Sequence, residues 1–275
     1  MQIKTHIKEA LDKAEVIIIT AGAGMGVDSG LPDFRGKDGF WRAYPYLQKL
    51  GIDFERMANP TNFYANPQLA WAFYGHRFKL YKDTKPHKGY EILLKLAKSK
   101  QDYYVVTTNV DGHFKKAGFD ESKIYEFHGS INYLQCFNYA CGDLIWQMQE
   151  ELPIDMEEFK ALSLPKCPRC QGLARPNILM FNDGTFNDSR YFLQKQNYKN
   201  WLKPLEDKNI LIIELGAGKA IPSMRIFGED FCKKSKTRTL LRINPNECDF
   251  PKFFRNGIGL KMKALEALEM IDSLI

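Results

Sequence analysis

The sequence predicts an α/β fold, a doubly wound parallel sheet with a smaller lobe standing off it. Three observations carry that expectation. Short, continuous apolar runs recur along the 275 residues, helical patterns separate them, and two stretches break the rhythm. Such runs suit strands buried on both faces of a parallel sheet, and their alternation with helices suits a doubly wound topology.

The elements follow in order. Met1 to Ala14 reads as a short polar helix and lacks the charged-then-apolar layout of a signal segment. Val16 to Thr20 is the first strand, a β-branched run closed by a glycine cluster. Further strands are expected at Tyr103 to Thr107, Ile178 to Phe181, Ile210 to Leu215 and Thr239 to Ile243. Helices are expected at Pro67 to Tyr81, His87 to Ser99, Tyr191 to Leu205, Ile221 to Lys233 and Met262 to Ile275. Two stretches, Phe40 to Lys82 and Tyr133 to Pro176, read as insertions. The expected organisation is therefore a main lobe of residues 1–39, 83–132 and 177–275, with a small lobe made of 40–82 and 133–176.

Composition narrows the functional classes. Apolar types make 44% and charged types 26% of the chain, a globular balance. The longest aliphatic run, Val16 to Ile19, falls far short of the roughly 20 residues of a membrane span. Basic residues exceed acidic ones by six, which suits solubility or an anionic small ligand better than nucleic acid. The run Lys233 to Arg238 is read as a solvated loop. No nucleic-acid or membrane partner is expected, and the expected compartment is the cytoplasm.

Four of the six cysteines fall in two short-spaced pairs, Cys136 with Cys141 and Cys167 with Cys170. A reducing compartment argues against a disulfide framework. Two knuckles instead aim four thiolates at one point, as tetrahedral zinc requires, and Pro168 favours the tight turn. With four protein ligands the Zn2+ would be structural. The alternative is four buried free thiols. Cys232 and Cys248 have no assigned role.

Directly after the first strand comes Gly22-Ala23-Gly24-Met25-Gly26, whose glycines would let backbone amides approach a phosphate. The spacing is Gly-x-Gly-x-Gly, and a ligand-free strand-to-helix turn would read the same way. The continuation Asp33-Phe34-Arg35-Gly36 adds specificity. Together with Thr108-Asn109-Val110-Asp111, Phe127-His128-Gly129-Ser130, the cysteine pairs, Arg175 to Phe181, Gly216-Ala217-Gly218 and Asn244-Pro245-Asn246, it resembles the sirtuins. The resemblance is to a divergent, bacterial-type member and spans Ala14 to roughly Ile258.

That resemblance implies a Rossmann-like lobe, a small lobe of helical and zinc modules, and NAD and an acylated lysine meeting in the cleft. It implies that Gly22, Ala23, Gly24 and Met25 hold the NAD pyrophosphate while Asp33, Phe34 and Arg35 shield the reactive ribose and assist the phosphates. Thr108, Asn109, Val110 and Asp111 would line the nicotinamide and ribose site, with Asp111 accepting the carboxamide N–H. Gly216, Ala217, Gly218, Asn244 and Asn246 would take the adenosine half. The acyl oxygen attacks the ribose as nicotinamide leaves, with Asn109 orienting the ribose and its water and His128 as base. The implied activity is NAD-dependent deacylation of protein lysine, giving lysine, nicotinamide and an O-acyl-ADP-ribose.

Several readings stay open on the residues themselves. Asp111 could cap the following helix, His128 could be structural, and Asn244 could simply form a turn before Pro245. His113 is read as a surface residue. Thr108 stands where many sirtuins carry Gln, Gly26 where Ser is commoner, Asn182-Asp183 for Gly-Glu, and Gly216-Ala217-Gly218 for Gly-Thr-Ser. The last two segments are those between which the family pairs its peptide, so an ADP-ribosyltransferase or NAD glycohydrolase is the alternative, and a non-enzymatic NAD sensor a third. Tyr74 and Arg77, three apart on one helix face, match the Tyr-x-x-Arg of desuccinylase-type sirtuins, which binds an acidic acyl chain. Their alternative is a core-facing Tyr74 with an Arg77 whose charged end reaches water. Oligomeric state is not legible.

Overall fold

In the computed structural model, which describes residues 2–32 and 37–275, the run after Glu15 forms β1 (Val16–Ala21), buried along its whole length. Alternation places its side chains on both faces of the sheet. Ile17, Ile19 and Ala21 join an apolar layer built with Leu93 and Leu96 of the helix Lys88–Lys98 and Leu268 and Ile271 of the helix Ala264–Asp272. Val16 and Ile18 join a second layer with Tyr198 of the helix Ser189–Leu202 and Met224 and Phe231 of the helix Ser223–Lys233. Both faces being covered explains why the strand reads as a continuous apolar run.

The chain then builds outward in two directions. β2 (Asp102–Thr107) and β3 (Ile124–Glu126) extend one side of β1, each parallel to its neighbour. Next come β4 (Gly129–Cys136) and β5 (Ile145–Gln147), an antiparallel pair, then a separate two-residue pair, β6 (Ile154–Asp155) and β7 (Lys160–Ala161). β8 (Ala174–Ile178) returns to pair antiparallel with β4. β9 (Ile210–Leu215), β10 (Arg238–Ile243) and β11 (Gly257–Leu260) complete the other side of the main sheet. The resulting order is β11-β10-β9-β1-β2-β3, all parallel. Direction of growth reverses between β1 and β9, so the crevice beyond their carboxyl ends is where a ligand is received.

One expected strand is corrected. Ile178 to Phe181 is not a strand of the parallel sheet; the strand ends at Ile178 and belongs to the β5-β4-β8 sheet. A short apolar run cannot distinguish the two settings. Two edge strands escaped notice. β3 has only three residues, and β11 alternates glycine with apolar residues. A methyl at Gly257 would stand 2.8 Å from the Phe250 ring, and one at Gly259 would stand 2.5 Å from the Cys248 carbonyl. The segment that crosses β11 thus dictates a sequence that reads as loop.

A third apolar cluster combines the helical insert with the cysteine-bearing segment. Phe40, Tyr44, Phe63, Trp71 and Phe73 meet Leu134, Met148, Phe159 and Ala161 there. The Trp71 indole N–H donates to the Ala174 carbonyl at 2.9 Å, which ties the helix Pro67–Asp83 to β8. No helix among the described residues is long and apolar enough to cross a membrane.

Candidate active site

The glycine loops after β1 and β9 pack directly on each other. A methyl at Gly22 would fall 2.7 Å from the Gly216 carbonyl oxygen, and one at Gly24 2.7 Å from the Gly216 α-carbon. Gly216 itself has φ +61, a conformation that side chains disfavour. The two loops therefore close without side chains between them. Beside them a cleft of about 470 Å³ is lined by Ala23, Gly24, Gly216, Gly218, Asn244, Asn246 and Glu247, among others.

A second cavity, about 220 Å³, shares Ala23 and Ile221 with that cleft. Its walls gather Thr108, Asn109, Val110, Asp111, His128, Tyr74, Arg77 and Tyr81. The fold brings these together from three separate segments. Asn109 follows β2, where the Thr108 N–H donates to the Ala21 carbonyl (3.0 Å) and the Asn109 N–H donates to the Thr107 hydroxyl (3.0 Å). Asn109 is 8% exposed, yet its Nδ2 has no hydrogen-bond partner among the described residues. A buried amide donor left empty costs free energy, so a ligand acceptor is the natural completion.

Asp111 does what its local position suggests, and more. Oδ1 accepts the His113 backbone N–H at 2.9 Å, an Asx turn that fixes the carboxylate. Its Oδ2 lies 3.7 Å from where a Gly26 methyl would stand, and Gly26 also lines the cavity. His128 precedes Gly129, whose φ of +77 lets β4 pass so close to β8 that a methyl would sit 2.1 Å from the Asn177 carbonyl oxygen. The His128 carbonyl accepts the Leu179 N–H at 2.9 Å. His128 is thus set on rigid backbone at the mouth of the small sheet.

Residues 22–209 match the Sir2 family. The chain belongs to it. An NAD-dependent protein deacylase of Aquifex aeolicus (strain VF5) is 29% identical over 258 residues, 93% of either chain. Another, of Pyrococcus furiosus, is 31% identical over 185 residues, 65% of either chain. A solved Sir2 homologue in complex with NAD superposes with a TM-score of 0.71 at 22% identity, covering 98% of this chain and 93% of that one. That last likeness speaks for the fold.

Against the Sir2 family pattern, most expected residues converge and some do not. Met25 is fully buried and joins the core layer, while its carbonyl accepts from His87 Nε2 at 3.0 Å. Ala217 is buried likewise, its carbonyl accepting from the Asn244 amide at 3.1 Å. Asn244 also receives the backbone N–H groups of Asn246 and Glu247. Its side chain thus shapes the cleft. Asp33, Phe34 and Arg35 lie outside the described residues. His113 is corrected: it is fully buried, packed edge-on against Tyr90 at 5.9 Å.

Arg77 does not reach water. It is 6% exposed, donates through Nε and NH2 to the Tyr81 hydroxyl (3.0 and 2.5 Å), and lies within 6 Å of four aromatic ring centres. Burial pushes the neighbouring Tyr74 phenol up to about 12, so it stays a hydrogen-bonding hydroxyl. Nothing in the local pattern distinguishes this arginine from a surface one; only the aromatic wall folded over it does.

The turn from Phe181 to Asp183 depends on its own residues for its shape. Asn182 takes φ +54, a left-handed position that asparagine tolerates. The Asp183 side chain is fully buried against Arg175, with its oxygens also receiving the N–H groups of Met180 and Thr185. His87 was missed altogether as a site residue. Its Nδ1 accepts the Gly89 N–H and its Nε2–H donates to Met25, so burial holds a neutral ring whose pKa is lowered. That bond anchors the glycine loop from 62 residues away, a separation no local signal carries.

The four cysteine sulfurs lie within 4.8 Å of one another, Cys136 to Cys170 at 3.6 Å and Cys141 to Cys167 at 3.8 Å. A tetrahedron of ~2.3 Å zinc–sulfur bonds has edges of about 3.8 Å. Gln171 at φ +58 and the Cys167 N–H bond to the Gly172 carbonyl (2.8 Å) form the second knuckle. The donor set and spacing fit structural Zn2+.

Proposed function

We propose that this member of the Sir2 family is an NAD-dependent protein-lysine deacylase. The observation that carries the reading is the buried Asn109 amide, unpartnered among the described residues, facing a cavity that also holds Asp111 and His128 and adjoins a side-chain-free glycine cradle. The residues present fit NAD. When bound, it supplies an anomeric carbon with nicotinamide as leaving group.

The chain's own groups then divide the work. Gly22, Gly24 and Gly216 hold backbone close to where a pyrophosphate would lie, and Gly218 and Asn246 line the adenosine side. Asp111, oriented by the His113 N–H, offers an acceptor to a carboxamide. Asn109 donates to the ribose or to the water beside it. His128 takes a proton from a ribose hydroxyl, work suited to an imidazole near neutral pH. The peptide pairs along the Phe181 to Asp183 turn, whose conformation the Arg175–Asp183 pair maintains. The segments 40–82 and 133–176 form the lobe that closes this cleft against the sheet.

Arg77 and Tyr74 favour a finer reading, in which an acidic acyl chain such as succinyl or malonyl is accepted. A guanidinium held among rings within the reaction cavity is suited to a carboxylate by charge and by its planar fork. Nicotinamide release from NAD, followed with and without acetyl- and succinyl-lysine peptides, tests both levels. Release that depends on the acyl peptide supports deacylation. Release without it points to an NAD glycohydrolase or ADP-ribosyltransferase, and no release overturns the catalytic reading.

A further inference from the structure

A third cavity of about 450 Å³ adjoins the reaction cavity, with Leu179 as a wall of both. Its sides are aromatic, formed by Phe127, Tyr139, Phe186 and Tyr191. Of its polar groups, Gln135, Thr185 and Asn187 are engaged in hydrogen bonds, and the charged ones are acidic. Asp183 is already committed to Arg175 and two backbone N–H groups. Asp143 and Asp188 are exposed, and their carboxylates make no hydrogen bond or ion pair among the described residues. Asp188 stands at the start of the helix Ser189–Leu202 without capping it through its side chain. Among the described residues no lysine or arginine lines the cavity, and Arg169, beside Gly142, donates to the Cys141 carbonyl at 2.6 Å. Arg190 is paired with the buried Glu126, and Lys195 is held over the Tyr191 and Phe192 rings.

Two unneutralised carboxylates above aromatic walls describe a receptor for a long basic side chain. The rings take the aliphatic stem or guanidinium plane, and the carboxylates take the charged end. The wall shared with the reaction cavity is the one whose backbone bonds to His128. A chain whose acyl-lysine enters the first cavity can therefore reach the second within a few residues. We infer that this groove binds an arginine or lysine of the protein substrate, flanking the acylated lysine. The inference rests on the deacylase reading and adds a substrate preference to it: basic flanking sequence.

The test uses three fluorescent acyl-lysine peptides that differ in flanking residues: arginine, glutamine or glutamate. KM is measured by turnover and Kd by anisotropy. The arginine peptide should bind roughly three- to tenfold more tightly than the glutamate peptide, the range of a pair of partly exposed ion pairs. The advantage should shrink in 0.5 M salt. In Asp143→Asn/Asp188→Asn the arginine peptide should fall to the level of the glutamine peptide. Equal binding of the three peptides by wild type, or an arginine advantage that survives in the double variant, overturns the inference. So does a dimer in sedimentation that buries the groove and excludes peptide. If none of the peptides is turned over, the deacylase reading fails, and the anisotropy preference still decides the groove.

Discussion

Gly216 rests against Gly24 so closely that a methyl on Gly216 would stand 2.4 Å from the Gly24 carbonyl carbon and from the Met25 nitrogen. This contact joins the loop after β1 to the loop after β9 at the point where the sheet reverses its direction of growth. On the proposed reading it would set how near backbone can come to a bound dinucleotide.

Gly216→Ala should consequently damage binding before it damages chemistry. The methyl meets backbone, which cannot rotate away, and the φ of +61 is itself strained for alanine. A loss of about 1–3 kcal/mol in stability is expected from overpacking, with NAD affinity weakened more than about tenfold as the loops part. Thermal denaturation and calorimetric titration with NAD measure the two effects. Unchanged affinity would separate the glycine contact from the cofactor.

His128 should matter to turnover and little to folding. The backbone constraint at this corner belongs to Gly129, whose methyl would collide with the Asn177 carbonyl. His128→Ala is therefore expected to lower acyl-dependent turnover by about 100-fold or more, the usual worth of a general base, while stability changes by less than about 1 kcal/mol. Asn109→Ala should lose nicotinamide release as well. Wild-type turnover in His128→Ala would remove the histidine from the mechanism.

Arg77 separates acyl preferences. Arg77→Met keeps most of the stem volume and removes the fork that Tyr81 now receives. If the guanidinium meets an acyl carboxylate, kcat/KM for succinyl-lysine should fall by about 10-fold or more, as expected for a buried charged hydrogen bond, and acetyl-lysine should change far less. Equal losses on both substrates would make Arg77 a packing residue.

What was readable from the chain alone divides by the range of the interactions. The central strands were legible because burial on both faces demands continuous apolar runs, and Val16 to Ile19 can satisfy little else. The cysteine pairs were legible because a knuckle is local. β3 and β11 were not, being short or forced into glycine by a crossing segment. His113 was misread as exposed because the Tyr90 ring that covers it comes from another helix. Asn109, Asp111 and His128 stood out through a resemblance to known motifs. Their mutual placement depends on the Thr107, Thr108 and Leu179 backbone bonds, which no spacing displays.

Zinc removal should unfold one part of the molecule first. The four thiols sit at tetrahedral spacing, and burial pushes Cys136 up to about 12 while the Cys170 and Arg169 backbone N–H groups outweigh burial to bring Cys167 down to about 7. A divalent ion would hold all four as thiolates. Metal analysis of freshly purified protein should give about one Zn2+ per chain. Chelation or Cys170→Ser should lower the melting temperature, and hydrogen exchange should rise first in residues 136–173. A zinc content near zero would leave the cluster as free thiols.

The Arg175–Asp183 pair sets a pH signature that one substitution can isolate. Burial opposes the Asp183 charge, but Arg175 and the N–H groups of Met180 and Thr185 outweigh it and hold the carboxyl below its ordinary value. A depressed carboxyl contributes stability above the unfolded pKa near ~3.9 and loses it as pH falls through the lower folded value. Asp183→Asn leaves Arg175 buried without its counter-charge, so at pH 7 it should cost about 3–5 kcal/mol. The difference between the two proteins should stay constant from pH 8 to about 5 and narrow below about pH 4, where wild type loses the ionised partner. Carboxylates common to both proteins cancel in that difference. Denaturant unfolding across the range measures it, and a gap that persists unchanged into acid would mean that Asp183 is held by shape and not by charge.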